Sequence, residues 1–187
     1  AKDTIKEHFL VINGDDFYGR ELFQIAYKLL NEESNEGTYA IPAYRLENVL
    51  SEYGTVKRGI CKVKDGYLEK IYETYEVERK EDGRIRGVTW DGKDMEMKDN
   101  DPVSMNMFCV HNTIFPMLEK RFEEFLKTNK DELKGEYLLP VIFSDMIEDG
   151  DVQFKILESN SKWFGVTVKE DAPIVRESIR KLIEQGE

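Results

Sequence analysis

The most restrictive feature of this chain is a short, uninterrupted apolar run, Phe9-Leu10-Val11-Ile12, that ends abruptly in Asn13-Gly14-Asp15-Asp16. A strand without polar alternation has no solvent face, so it predicts a strand covered on both sides, as in a parallel sheet sandwiched by helices. Such a strand needs neighbours on both edges, and the strand that follows it supplies only one.

Helical spacing comes next. Leu22, Phe23, Ile25, Ala26, Leu29 and Leu30 recur at intervals of three and four within Tyr18 to Glu33, which predicts an amphipathic helix. Ser34-Asn35-Glu36-Gly37 breaks it, and Tyr39 to Leu46 reads as the next strand. Strand, helix, strand is a βαβ unit with a right-handed crossover. The middle of the chain then changes character. Val56 to Val63, Tyr67 to Val77 and Ile85 to Trp90 read as strands punctuated by Asp65-Gly66, Asp82-Gly83 and Asp91-Gly92. Asp-Gly tolerates the positive φ of tight hairpin turns, so this part is predicted to be antiparallel. Lys93 to Asp101 reads as a charged loop, and Val103 to His111 as one buried strand.

Thr113 to Lys127 carries Ile114, Phe115, Leu118, Phe122, Phe125 and Leu126 on one helical stripe. A second helix is expected over Tyr137 to Glu148, with Pro140 in its first turn, where a missing N–H is tolerated. Val152 to Leu157 and Trp163 to Val168 read as short strands. Asp171 is placed to cap a last helix, with Pro173 in its first turn and Ile174, Ile179, Leu182 and Ile183 on its buried face. The whole of 1–187 reads as a single domain.

Charge narrows the partners. Lys and Arg number 27 against 38 Asp and Glu, a net charge of −11. An acidic surface repels phosphate backbones and anionic lipid, so neither nucleic acid nor a membrane is an expected partner. No apolar run approaches the ~18 residues of a membrane span, and Ala1 to Glu7 lacks the pattern of a signal peptide. Two cysteines, Cys61 and Cys109, sit in separate apolar strands and read as buried, reduced thiols. A cytoplasmic protein is expected.

Candidate chemistry begins at Asn13-Gly14-Asp15-Asp16. Ligands of open α/β sheets bind beyond the carboxyl ends of strands, and carboxylates there are hard oxygen ligands for Mg²⁺. The same residues are also ordinary turn chemistry. Ser51 to Val56, followed by Arg58-Gly59, offers small residues beside an aromatic, suited to a sugar or base, and equally to a strand-entry turn. Glu73 in a strand and Glu136 before a helix admit plain surface roles. Trp163-Phe164-Gly165 admits simple core packing. His8 and His111 lack metal-ligand spacing, and no Gly-rich phosphate loop of the common types is present.

In order along the chain, Asn13-Gly14-Asp15-Asp16-Phe17-Tyr18-Gly19, Glu52-Tyr53-Gly54-Thr55-Val56, Glu73, Val103-Ser104-Met105-Asn106-Met107, Gly135-Glu136 and Lys162-Trp163-Phe164-Gly165-Val166-Thr167 resemble the sugar-phosphate nucleotidyltransferases. The resemblance spans essentially the whole chain, and only the ordered set is specific. It implies a Rossmann-like mixed α/β sheet with helices on both faces and an antiparallel insertion at about 56–101. It implies a reaction that joins a nucleoside triphosphate to a sugar 1-phosphate and releases pyrophosphate, with a nucleotide sugar as product.

By the same resemblance, Asp15 of the Gly14-Asp15 pair is the catalytic, Mg²⁺-binding carboxylate, with Asp16 beside it as a second metal ligand. Tyr53, Gly54, Val56 and Gly59 lie near the sugar, Glu73 holds its hydroxyls, and Asn106, Glu136 and Trp163 supply further substrate contacts. Three departures follow. The Gly-x-Gly-Thr-Arg loop that grips the triphosphate is absent, so the chain is expected to be the C-terminal portion of a longer enzyme and inactive alone. Thr74 stands where Glu-Lys-Pro carries a lysine. Gly165 stands where Trp-x-Asp carries a second metal-binding Asp. A metal-dependent glycosyltransferase and a noncatalytic sugar-nucleotide-binding module are the alternatives.

The unpartnered edge of the first strand is an invitation to strand pairing between chains. Self-association that grows with concentration is the expected result in light scattering, and a strictly monomeric species at high concentration is the contrary one.

Overall fold

A computed structural model describes residues 1–31, 39–51, 54–129, 135–165 and 171–186. The break expected at Ser34 to Gly37, Tyr53, and the Val166 to Val168 end of the expected strand lie outside the described residues, as do the side chains of Asp171 and Ile174.

The elements follow in the order β1 (Phe9–Val11), β2 (Asp16–Phe17), α1 (Arg20–Leu30), β3 (Tyr39–Arg45), a single 3-10 turn (Leu46–Asn48), β4 (Val56–Lys64), β5 (Tyr67–Arg79), β6 (Ile85–Thr89), β7 (Asp94–Met97), β8 (Pro102–Ser104), β9 (Phe108–Val110), α2 (Ile114–Thr128), α3 (Leu139–Glu148), β10 (Phe154–Ser159), β11 (Phe164–Gly165) and α4 (Asp171–Gln185). The main sheet runs β1-β9-β3-β8-β4-β5-β6-β7, and β10 lies along β3. The β3–β10 pair is parallel, and the other ladders of this sheet are antiparallel. Two-residue strands β11 and β2 form a separate antiparallel pair.

Strict alternation along the central strands builds two cores. Ala40 and Tyr44 of β3, Cys109 of β9 and Ile60 of β4 face Leu22, Ala26 and Leu29 of α1. Tyr39, Ile41 and Ala43 of β3, with Phe108 and Val110 of β9, face Ile114 of α2 and Phe143 and Met146 of α3. Helices therefore cover both faces of the sheet, as expected. Phe108, Phe143 and Phe154 meet at ring-centroid separations of 4.8 to 6.4 Å, and each is at most 1% exposed. Both cysteines are free and buried. Cys61 belongs to the α2/α3 layer and Cys109 to the α1 layer.

The three Asp-Gly turns join antiparallel neighbours as predicted, with Asp65 at φ 52° and Gly66 at 83° in the β4–β5 turn. Four readings need correction. β1 is only partly covered on its two faces, Leu10 by one core and Phe9 and Val11 by the other, and Ile12 of the apolar run is 44% exposed. Its partner, however, is the antiparallel β9. β1 is still parallel to β3, because both run against β9, so the βαβ unit carries an intervening strand. The expected charged loop from Lys93 contains β7, whose Met97 is buried while its charged residues face outward. The expected single strand from Val103 to His111 is two, broken at Asn106, which takes a φ of 59°. Some expected core residues are exposed: Phe23 at 42%, Phe122 at 43%, Leu126 at 49% and Ile183 at 66%.

The break has a topological reason. β3 has β9 beside Ala40 and β8 beside Tyr44 and Arg45. The segment 105–107 is where the chain leaves one partner line for another, since β8 continues to β4 and β9 to β1.

Emptying the aromatic centre is expected to be costly. Phe154→Ala leaves a cavity against Phe108 and Phe143, and a loss of about 3–5 kcal/mol is expected in urea unfolding.

Candidate functional site

The site is assembled around the turn after β1, where that strand stops at Asn13. Tyr18, 1% exposed, accepts the Asn13 backbone N–H at 3.0 Å and donates to the Met105 carbonyl at 2.9 Å. Its own carbonyl accepts the Tyr44 hydroxyl at 2.6 Å. Burial pushes the Tyr18 phenol up to about 12, so it stays a neutral donor. Asn13 Nδ2 donates to Asp16 Oδ2 at 2.9 Å. The turn is thus fixed onto the β8–β9 break, and Asp16 is oriented while Asp15 remains exposed.

A second line of contacts holds the loop after β10. Glu21, in the first turn of α1, accepts the Ser159 hydroxyl at 2.6 Å and the Ser161 hydroxyl at 2.9 Å. The Ser159 bond, ahead of the cost of burial, holds the Glu21 carboxyl below the usual range. From this loop Trp163 turns back toward the sheet. The Arg58 guanidinium carbon lies 4.8 Å from the Trp163 ring centroid, and Gly165 pairs with Asp16. A Cβ on Gly165 would fall 2.2 Å from the Trp163 ring and 3.2 Å from Asp16 Oδ1. With Trp163 seated here, position 165 has no room for a side chain.

The third group lies on the sheet. Gly59 is opposed by Glu73 on β5 and Ser104 on β8. A Cβ there would sit 3.1 Å from Ile71 Cγ2, 3.3 Å from the Ser104 carbonyl and 3.5 Å from Glu73 Oε1. Glycine is therefore required here by close packing of β4 against Ile71 and Ser104. Glu73 Oε2 is 3.4 Å from Lys57 Nζ, and that ammonium lies 4.9 Å from the Tyr75 ring centroid. Burial pulls Lys57 down, but Glu73 and Tyr75 outweigh it and leave its pKa raised.

The structure brings together Asp16, Arg58 and Trp163 on the α1 side of the sheet, with Gly14 and Asp15 on the adjoining exposed turn, whereas Gly59 and Glu73, in line with Cys61 and Ile71, lie on the α2/α3 side. Asn106 is exposed at the strand break, and its backbone N–H lies 3.4 Å from Ser104 Oγ. Three expected members behave otherwise. Gly54 is an exposed turn residue at φ 122°, and Val56 packs into the α1-side core, so strand entry accounts for both. Glu136 is exposed beside Tyr137, whose hydroxyl donates to the Leu118 carbonyl on α2, in the opposite layer from Trp163. Tyr53 lies outside the described residues.

Glu21 was not singled out by the sequence, and Arg58, Tyr18 and Ser104 stood within candidate motifs without an assigned role. Arg58 carried a readable signal, because alternation in β4 places it in register with the inward Ile60. Among the described residues no group of three His, Cys, Asp or Glu is placed to hold a metal ion, and no helix is long and apolar enough to cross a membrane.

The Glu21 contact has a defined pH sign. Its folded pKa is depressed, so its contribution is present above the unfolded carboxylate value and is lost as pH falls through the folded one. In a Trp90→Phe background, acid should shift Trp163 emission to the red, and Glu21→Gln should abolish that dependence.

No family model and no curated protein matches the sequence. Among solved structures the chain resembles one from Bacillus anthracis described as a glucose-1-phosphate thymidylyltransferase in complex with sucrose. The TM-score is 0.56 at 12% sequence identity, over 96% of this chain. The chain spans 57% of that protein's length.

Proposed function

We propose that this chain supplies the sugar-phosphate side of a nucleotidyltransferase site, in an enzyme that joins a nucleoside triphosphate to a sugar 1-phosphate and releases pyrophosphate. The observation that carries this reading is the half-buried Glu73 carboxylate, which lies beside Gly59 and Ser104 on the α2/α3 side of the sheet. A half-buried carboxylate suits a ligand that presents hydroxyls. Trp163, on the α1 side, is not part of that group. The fold shared with a protein described as a sugar-phosphate nucleotidylyltransferase supports the same reading.

Mg²⁺ fits the donor set as a partly protein-held ion. It takes one or two carboxylates and completes its shell with phosphate oxygens and water. Asp15 is exposed at the turn. Asp16 has Oδ2 engaged by Asn13, while Oδ1 lies on the side toward Gly165. These two residues would hold the ion, which would neutralise phosphate charge during transfer. The triphosphate-gripping groups belong, on this reading, to the remainder of a longer enzyme, and the 57% span is in keeping with that. A noncatalytic sugar-nucleotide-binding module is the second reading. The steric exclusion of a carboxylate at Gly165 and the buried Thr74 favour it.

The test is calorimetric and enzymatic. The 187-residue chain should bind a hexose 1-phosphate, and Glu73→Gln should weaken that binding about tenfold, ~1.4 kcal/mol. The chain by itself should release no pyrophosphate from a triphosphate and a hexose 1-phosphate above a metal-only control. Release well above that control, or a Glu73→Gln variant that binds like the parent, would contradict the proposal.

A further inference from the structure

Arg58 is the feature that the sugar reading leaves unexplained. It is 9% exposed, and its guanidinium donates to the Val49 carbonyl at 2.7 Å and the Lys57 carbonyl at 2.8 Å. A guanidinium carries five N–H donors. The remaining ones have no acceptor among the described residues. No carboxylate lies within ion-pair distance of it among those residues either, although the other arginines of the sheet, Arg45, Arg79, Arg84 and Arg86, are all paired at the surface. Buried charges are ordinarily paired. Burial pushes Arg58 down to about 10, against an upward pull from the more distant Asp16. It remains a cation at neutral pH.

The group stacked on it is buried without a partner. Trp163 Nε1 is buried with no hydrogen-bond partner. Indole nitrogen is a donor only, so what it lacks is an acceptor. The indole and the guanidinium belong to one stack, 4.8 Å between guanidinium carbon and ring centroid. That stack lies on the α1 side of the sheet, the side of Trp163 and Ile60. Two adjacent donor groups, one permanently positive, call for an anionic oxygen acceptor.

We propose that Arg58 and Trp163 form an oxyanion site that takes a phosphoryl group, with the indole fixing the guanidinium plane. The site stands on the buried, unpaired cation alone, and rests on the nucleotidyltransferase reading only for which phosphate fills it. A sugar phosphate and inorganic pyrophosphate share this chemistry.

The test follows the indole N–H by ¹H–¹⁵N correlation in the full chain, with Trp90→Phe assigning the Trp163 signal. Titration with inorganic phosphate should move that signal saturably. Arg58→Gln keeps a planar donor for Val49 but removes the charge, and should raise the half-saturating phosphate concentration at least about tenfold. A Trp163 signal unmoved by phosphate would overturn the site, and this reading needs no variant at Arg58. Equal saturation in a folded Arg58→Gln protein would overturn it too. Parallel titrations distinguish the source. Tighter saturation by a hexose 1-phosphate assigns the site to the sugar substrate. Arg58-dependent saturation by phosphate and pyrophosphate without preference for the hexose ester upholds the oxyanion site while removing the sugar reading.

Discussion

One buried hydroxyl sets the geometry on which the site depends. Tyr18 Oη ties the end of β1 to the break between β8 and β9, and the Tyr18 carbonyl is held by Tyr44 of the central strand. Three stretches distant in sequence therefore share one small polar junction inside an apolar layer. Each bond is worth only about 1 kcal/mol net. Leaving any of these polar groups buried and unpaired costs more, so the junction acts as a constraint on where the turn can sit. Without it the Asp15-Asp16 turn would have no fixed relation to the β8–β9 break or to the central strand β3.

Around this junction the chain separates two kinds of charge. Lysines and arginines paired with carboxylates lie at the surface, including the pairs of Lys62 with Glu69 and Arg121 with Asp149 and Asp151. Such exposed pairs contribute little to stability, and they are compatible with the acidic net charge of −11. Arg58 is different in kind. It is buried on an inward strand position and stacked on an indole, where removal from water makes its field stronger. An acidic protein can thus keep a locally positive pocket, because surface carboxylates are screened and a buried cation much less so.

Much of the fold was legible in the residues. The Asp-Gly turns could be read because few other residues tolerate their backbone angles, and the contact of β1 with both layers because its residues are uniformly apolar, although the strand is only partly buried. What escaped reading had specific causes. β7 was hidden because Asp94, Glu96 and Lys98 mask its inward Met95 and Met97. The break at Asn106 was hidden because the residues flanking it are all apolar enough for one strand. The break is imposed by β3 changing partners, which no local pattern records. The overestimated stripes of α1, α2 and α4 counted apolar residues without knowing which had a surface to meet. Of the expected site, Gly59 and Glu73 pair on one face of the sheet and Asp16 and Trp163 lie on the other, while Gly54, Val56 and Glu136 were carried by local motif alone. The likeness to the B. anthracis structure is one of fold alone.

The two cysteines acquire a use from their placement. Cys61 is embedded in the α2/α3 layer and Cys109 in the α1 layer, and burial holds each thiol at about 12. Only the thiolate reacts, so each sulfur is silent until its own layer opens to solvent. The chain therefore carries one chemical clock on each side of its sheet. Their separate labelling rates would report whether the two halves of the core come apart together or in turn.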